Sequence, residues 1–341
     1  MLTRRSMLHL ASLAPLALAR RADAQPPGDA EWKKVIEAAK KEGKVSMYTG
    51  AVGSPALAKI AAAFEAKYGV RLDVLEVRAS ELRERVRTEQ TSGKVIGDVS
   101  HNGSTSTGLQ LAEGTFQPHG PLPNLKRPVA PFAADDVRVP IYVIPFGILV
   151  NTDLVKPADE PKSWKDLLHP RWKGKILADD VRALGGGAVF FMVTYQKLGK
   201  EYHDAFAGQQ PHMNRELRGN YPRVARGEYA AYVPYTVPDI LDLKGLPVKA
   251  IVPAEGCPYV RFDGAVYKNA PHPNAARLLV DFFLGDEVQL IYGNLGFVSV
   301  IGGLEAKIAP EARALTQVKL MGTTDYKLQE EMLKTAKQIY K

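Results

Sequence analysis

Three stretches of the chain carry small polar residues where a strand runs into the start of a helix. Residues 98–105, DVSHNGST, place His101, Asn102, Gly103 and Ser104 at such a junction. Residues 49–54 and 78–80 repeat the form, with Thr49 and Gly50 at one tip and Arg78 and Ser80 at the other. Strand ends facing helix N-termini are where α/β proteins hold ligands, because uncapped N–H groups and the helix dipole attract negative charge. Downstream, Asp179, Asp180 and the run Gly185-Gly186-Gly187 precede an apolar segment. Glycines there permit close backbone approach to an anion. Gly147 interrupts a β-like run beside Pro145, and Tyr232 and Tyr235 flank Pro234. Both tyrosines reach one face only if a bulge intervenes.

Catalytic signatures are missing from this set. No G-x-G-x-x-G follows a strand, no G-x-S-x-G elbow exists, and no lysine-serine or lysine-threonine pair completes a phosphate loop. With Cys257 alone there is neither a disulfide framework nor a cysteine-based metal site. We expect no cofactor and no resident metal. The formal charge is +8 over 341 residues, with no basic block interleaved with aromatics, so nucleic acid is not an expected partner.

The first 24 residues read as an export leader. Arg4-Arg5 precede an apolar run too short to span a bilayer, and Arg20-Arg21 precede Ala22-Asp23-Ala24, an A-x-A cleavage pattern. The paired arginines favour the twin-arginine route. Removing four arginines and one aspartate lowers the charge from +8 to +5, which fits an anionic ligand without demanding one. The remaining ~315 residues exceed what one core usually holds, so two lobes are expected.

Periodicity supplies the elements that must position these residues. A helix begins at Asp29, with Trp32, Val35, Ile36 and Ala39 as its apolar face, and ends at Gly43. Strands are expected at 44–49, 70–77 and 95–100, alternating with helices that start at Ser54-Pro55, at Ser80 and near Ser104. This order implies a parallel sheet with helices on its faces. Residues 117–138 are proline-rich and aperiodic, read as the chain leaving the first lobe. Further strands are expected at 138–151, 175–180, 229–236 and 248–252, with helices at 188–198, around 239–244, after Pro273 and at 327–341.

The ordered set WKKVIEAAKKEGKVSMYTG, ASELRERVRTEQ, GDVSHNGS, VNTDLV with SWKDLLHPRWKGKI, RGEYAAY and KNAPHPNAARLLVDFFLGDEVQLIYG resembles ABC-transporter substrate-binding proteins. In particular it resembles the extracellular solute-binding group that contains the periplasmic ferric-iron-binding proteins. The resemblance covers essentially the whole mature chain. It implies an α/β, two-lobe type II periplasmic binding fold, each lobe a mixed sheet flanked by helices with a cleft between. By that analogy lobe one comprises residues 26–116 and 256–302, and lobe two 117–255 and 303–341. It also implies a monomeric periplasmic receptor that passes a small solute to an inner-membrane permease.

Iron-binding members use adjacent tyrosines after a Gly-Glu turn, often with a histidine at the first strand's tip. Here Gly227-Glu228 is followed by Tyr229, Tyr232 and Tyr235 without a pair, and the first tip has no histidine. A small anionic organic solute, a carboxylate or phosphonate, is therefore expected ahead of ferric iron, and a periplasmic enzyme is the rival class. The expected ligand set is Thr49, Gly50, Arg78, Ser80, His101, Asn102, Gly103 and Ser104 on lobe one. On lobe two it is Gly147, Asp180, Gly186, Tyr232 and Tyr235.

Overall fold

The computed structural model describes residues 26–341. The leader expected over 1–24 lies outside the described residues. The first third of the chain alternates as read: α1 (Asp29–Glu42), β1 (Lys44–Thr49), α2 (Pro55–Tyr68), β2 (Arg71–Glu76), α3 (Ala79–Ser92), β3 (Val99–Gly103) and α4 (Ser104–Ala112). Gly43, Gly69 and Gly93 stop α1, α2 and α3 in the left-handed conformation that costs glycine little. The short β4 (Phe116–Gln117) leads to the 14-residue β5 (Arg138–Asn151). Then come β6 (Ile176–Asp179), α5 (Gly186–Leu198), α6 (Lys200–Gly208), β7 (His212–Asn214), α7 (Asn220–Ala225), β8 (Ala231–Thr236) and β9 (Val248–Ile251). The remainder is β10 (Cys257–Tyr267), α8 (Pro273–Phe283), α9 (Asp286–Asn294), β11 (Val298–Ser299), α10 (Pro310–Thr316), β12 (Leu320–Gly322) and α11 (Gln329–Ile339).

The strands run in the order β2-β1-β3-β10-β5-β8-β6-β7. β2, β1 and β3 are parallel, as are β8, β6 and β7, whereas β10 and β5 pair antiparallel between the two groups. β5 serves both halves. Val139, Ile141, Tyr142 and Val143 enter a first core, and Ile148 and Val150 enter a second. A strand buried on both faces reads as a near-continuous apolar run, which is why RVPIYVIPFGILVN was legible. Two cores joined by shared strands form two lobes able to move about those strands.

The packing divides the chain differently from the expected boundaries. Leu122 and Phe132 lie in the first core, although the proline-rich segment 117–138 was assigned to lobe two. Asn124 binds the Asp281 carboxylate and Arg127 pairs with Asp286, so the segment straps α8 and the start of α9. Its anchors are isolated side chains without a period, so no periodic signal betrays them. Leu304 is also in the first core, and α10 packs on α9. The last return to the second core follows α10, at Met321 and α11, rather than at residue 303.

Candidate functional site

The three lobe-one junctions converge. The parallel register aligns Tyr48 with Ser100 and Thr49 with His101, bringing the β1 and β3 tips side by side. A side chain built at Gly50 would start 2.8 Å from Asn102 Oδ1 and 3.9 Å from the Ala79 amide at the start of α3. The β1 turn satisfies its own amides: Ala51 N–H donates to Thr49 Oγ1 at 3.0 Å, and Gly53 N–H to Glu76 Oε2 at 2.6 Å. The starts of α3 and α4 differ, because neither Arg78 nor Gly103 supplies a side-chain cap. Ser80 is exposed and does not cap α3. Arg78 is exposed and makes no ion pair among the described residues, since Glu76 is engaged by Gly53.

Two side-chain atoms at the α4 junction are buried without a hydrogen-bond partner, Asn102 Oδ1 and Ser104 Oγ. Burying a polar group unpaired costs ~1–3 kcal/mol, so each of these atoms calls for a water or a ligand group. Asn102 Nδ2 is occupied by Ser100 Oγ at 3.0 Å, which leaves its carbonyl oxygen directed toward Gly50 and Ala79.

His101 is a correction. It is fully buried in the first core, between Thr49 Oγ1 at 2.7 Å and the Tyr292 hydroxyl at 2.9 Å, against Tyr142, Phe262 and Phe283. Burial pushes its imidazole down to about 3. It holds Thr49 from below and has no open face for a ligand. Residues alternate across a strand, so Asn102 looks to one face and His101 to the other.

On lobe two, α5 begins at Gly186 as the glycine run implied, but its first turn is already occupied. The Asp179 carboxylate accepts from Gly187 N–H at 2.6 Å and from Asp180 N–H at 3.1 Å. Asp179 is only 5% exposed, and burial pushes its carboxyl up to about 6, against the pull of these two amides. Asp180 turns outward into a two-pronged pair with Arg182, at 2.8 and 3.1 Å. Asp180, expected as a ligand contact, is engaged by Arg182, and Asp179 occupies the helix start. Gly147 is also corrected: a β-carbon there would lie 2.5 Å from the Ile251 carbonyl oxygen, so the residue is a packing contact. Its neighbour Phe146 lies against Gly186 and groups with Val189, Val193, Val260 and Met321.

The register of β5 with β8 shifts between Gly147 and Leu149, which places Tyr235 and Tyr232 in one cluster against Tyr221. Both are fully buried, and among the described residues neither hydroxyl has a hydrogen-bond partner. Burial pushes both phenols well above tyrosine's ordinary value; Asp179 raises Tyr232 further, and Asp239 raises Tyr235.

Two chains of contact join the lobes here. Arg218 donates to the Gly53 carbonyl at 2.6 Å and to Asp239 at 3.2 Å, while Asp239 also accepts from Tyr221 at 2.7 Å. On the other side, Val260 lies over Gly103 and groups with Phe146, which reaches Gly186. Sequence reasoning missed Arg218 and Asp239, and at the break in β5 it named Gly147 where Phe146 makes the contact. Arg218 follows β7, a three-residue strand too short to show a period, so its position was invisible.

The family model for bacterial extracellular solute-binding proteins matches residues 106–325. The chain belongs to this family. Among curated proteins, this solute-binding protein is 26% identical over 274 residues to an uncharacterized protein of Haemophilus influenzae, covering 76% of this chain and 78% of that one. Among solved structures it is similar to the ferric binding protein from Campylobacter jejuni, with a TM-score of 0.72 and 19% identity over 87% of this chain and 98% of that one. AfuA from Actinobacillus pleuropneumoniae, solved with fructose-6-phosphate bound, gives a TM-score of 0.67 at 20% identity over 88% and 97% of the two chains. The substrate binding protein of an ABC transporter from Agrobacterium tumefaciens gives 0.74 at 15% identity over 87% and 94%. These likenesses establish the α/β, two-lobe type II periplasmic binding fold of this solute-binding protein. Among the described residues, no helix is long and apolar enough to cross a membrane, and no group of three or more His, Cys, Asp or Glu side chains could hold a metal ion.

Proposed function

We propose that this solute-binding protein is the periplasmic receptor of an ABC importer, working as a monomer that closes its lobes over a small anionic organic solute, a carboxylate or phosphonate. The observation that carries this reading is that each lobe buries hydroxyls with no partner among the described residues and free to donate to an anion, Ser104 Oγ on one lobe and the Tyr232 and Tyr235 hydroxyls on the other. The uncapped starts of α3 and α4, with Arg78 beside them, supply the anion-seeking surface on lobe one. Arg218 of lobe two donates to the Gly53 carbonyl of lobe one at 2.6 Å, a contact that holds the two lobes together beside the β1 tip. A ligand touching both lobes stabilises the closed state by its differential affinity for that state, and the membrane permease receives the closed form. The protein acts as a receptor rather than a catalyst.

Ferric iron is the less favoured solute. Burial first, and the neighbouring carboxylates second, hold both phenols in the protonated form, and His101, a possible fourth donor, is locked in the other lobe's core. Thermal-shift screening of the purified protein against carboxylates, phosphonates, sugars and ferric citrate tests the reading. Stabilisation by carboxylates or phosphonates is expected. Stabilisation by ferric ion alone, with a visible tyrosinate absorption band, contradicts it.

A further inference from the structure

Lobe two offers its ligand something different from lobe one. The start of α5 would be an anion site, but Asp179 fills it, and among the described residues the hydrogen bonds that carboxylate accepts come from backbone amides. No lysine or arginine forms an ion pair with Asp179 among the described residues; Arg215 acts on it only at longer range, Asp180 is paired with Arg182 and Asp239 with Arg218. β6 and β8 pair with Leu177 opposite Tyr232, so Tyr232 and Asp179 lie on one face of neighbouring strands; the Tyr232 hydroxyl is fully buried, and its nearest polar side chain is Asn220, with no partner at hydrogen-bond distance among the described residues. A buried carboxylate with spare lone pairs beside an unpaired phenol is a site for a hydrogen-bond donor and repels a second anion. The path from Asp179 to the other lobe is continuous: Gly186, Phe146, Val260, then Gly103 between Asn102 and Ser104.

We propose that the solute binds with a fixed polarity, its anionic end at the starts of α3 and α4 and a hydrogen-bond-donating end, ammonium or hydroxyl, at Asp179 and Tyr232. This rests on the reading of the protein as an anion receptor and names the second group its solute must carry. Phe146, Val260 and Met321 supply an apolar wall for the carbon skeleton between the two ends.

The test is calorimetric titration of the full chain with 3-aminopropyl-, 3-hydroxypropyl- and butylphosphonate, and with the carboxylates of the same length. The butyl compound matches the others in size but ends in a methyl group. The amino or the hydroxy member should bind about 10- to 100-fold tighter than the methyl member, the range expected for a hydrogen bond to a charged group. Which of the two leads identifies the donor. Asp179→Asn should remove most of an ammonium preference, and should not weaken the methyl compound, which has nothing to donate to the carboxylate. Tyr232→Phe, which keeps the ring, should reduce the preference less. Equal affinity for all three members overturns the polarity but leaves the anion receptor standing. Binding by none of these anions overturns the receptor reading, and the polarity with it.

Discussion

Asp179→Asn separates the demands of binding from those of stability. In the folded protein the Asp179 carboxyl titrates at about 6, against 3.8 for the free side chain. The folded state thus holds its proton more tightly than the unfolded state, so ionisation works against folding. The contribution falls as pH rises from 3.8 to about 6 and stays lost above that. A shift of about two units at ~1.36 kcal/mol each puts the cost of the charge near 3 kcal/mol at neutral pH. Asparagine removes the charge and keeps one oxygen for Gly187 N–H, but its amide nitrogen then faces Asp180 N–H and loses that bond, costing ~1 kcal/mol. The net expectation is a gain of about 1–2 kcal/mol at pH 8, or roughly 2–4 °C in Tm for a chain of this size. Differential scanning calorimetry of both proteins from pH 4 to pH 8, without ligand, measures it. The gap should be widest above pH 6 and close toward pH 4. A variant less stable at pH 8, or a gap independent of pH, refutes the reasoning that Asp179 is strained by burial and kept for what it binds.

Other expectations follow from the same geometry. Arg218→Ala removes the contact with Gly53 and leaves the buried Asp239 with only Tyr221, so it should weaken ligand binding several-fold and lower stability by about 1–3 kcal/mol; titration and urea unfolding read the two effects. Gly147→Ala forces a methyl onto the Ile251 carbonyl and Val237 and should cost about 2–3 kcal/mol in urea unfolding. Burial holds His101 and His203 neutral, each at about 3, so the unfolded chain binds two more protons between pH 6.5 and that value. Their stabilisation is complete above pH 6.5 and is lost as the pH falls. The acid unfolding limb should flatten in His203→Phe, which also gives up bonds to Thr194 and Tyr340.

Most of the scaffold was legible because it is periodic. The β1 run KVSMYT and the long β5 were read to the residue, and the glycines after α1, α2 and α3 marked those helix ends. The lobe-one junctions were legible too, since turn chemistry is local. What was not legible depends on partners far along the chain. His101 and Asn102 are adjacent and both polar, and only the sheet's facing decides that one enters the core while the other looks toward α3. Asp179 and Asp180 are likewise identical in type, and the direction of the strand end gives one the α5 amides and the other Arg182. The tyrosines were named, but their common face needed the register shift at Gly147, a feature of pairing that neither strand carries alone.

The structure of the protein with a bound solute from the thermal-shift screen tests the central claim most directly. The account predicts a solute enclosed between Asn102–Ser104 and Asp179–Gly187, within hydrogen-bond distance of Ser104 Oγ and the Tyr232 hydroxyl, with Arg218 on Gly53. A solute seated instead in the concavity of about 660 Å³ lined by His169, Lys175 and Tyr229 would contradict it.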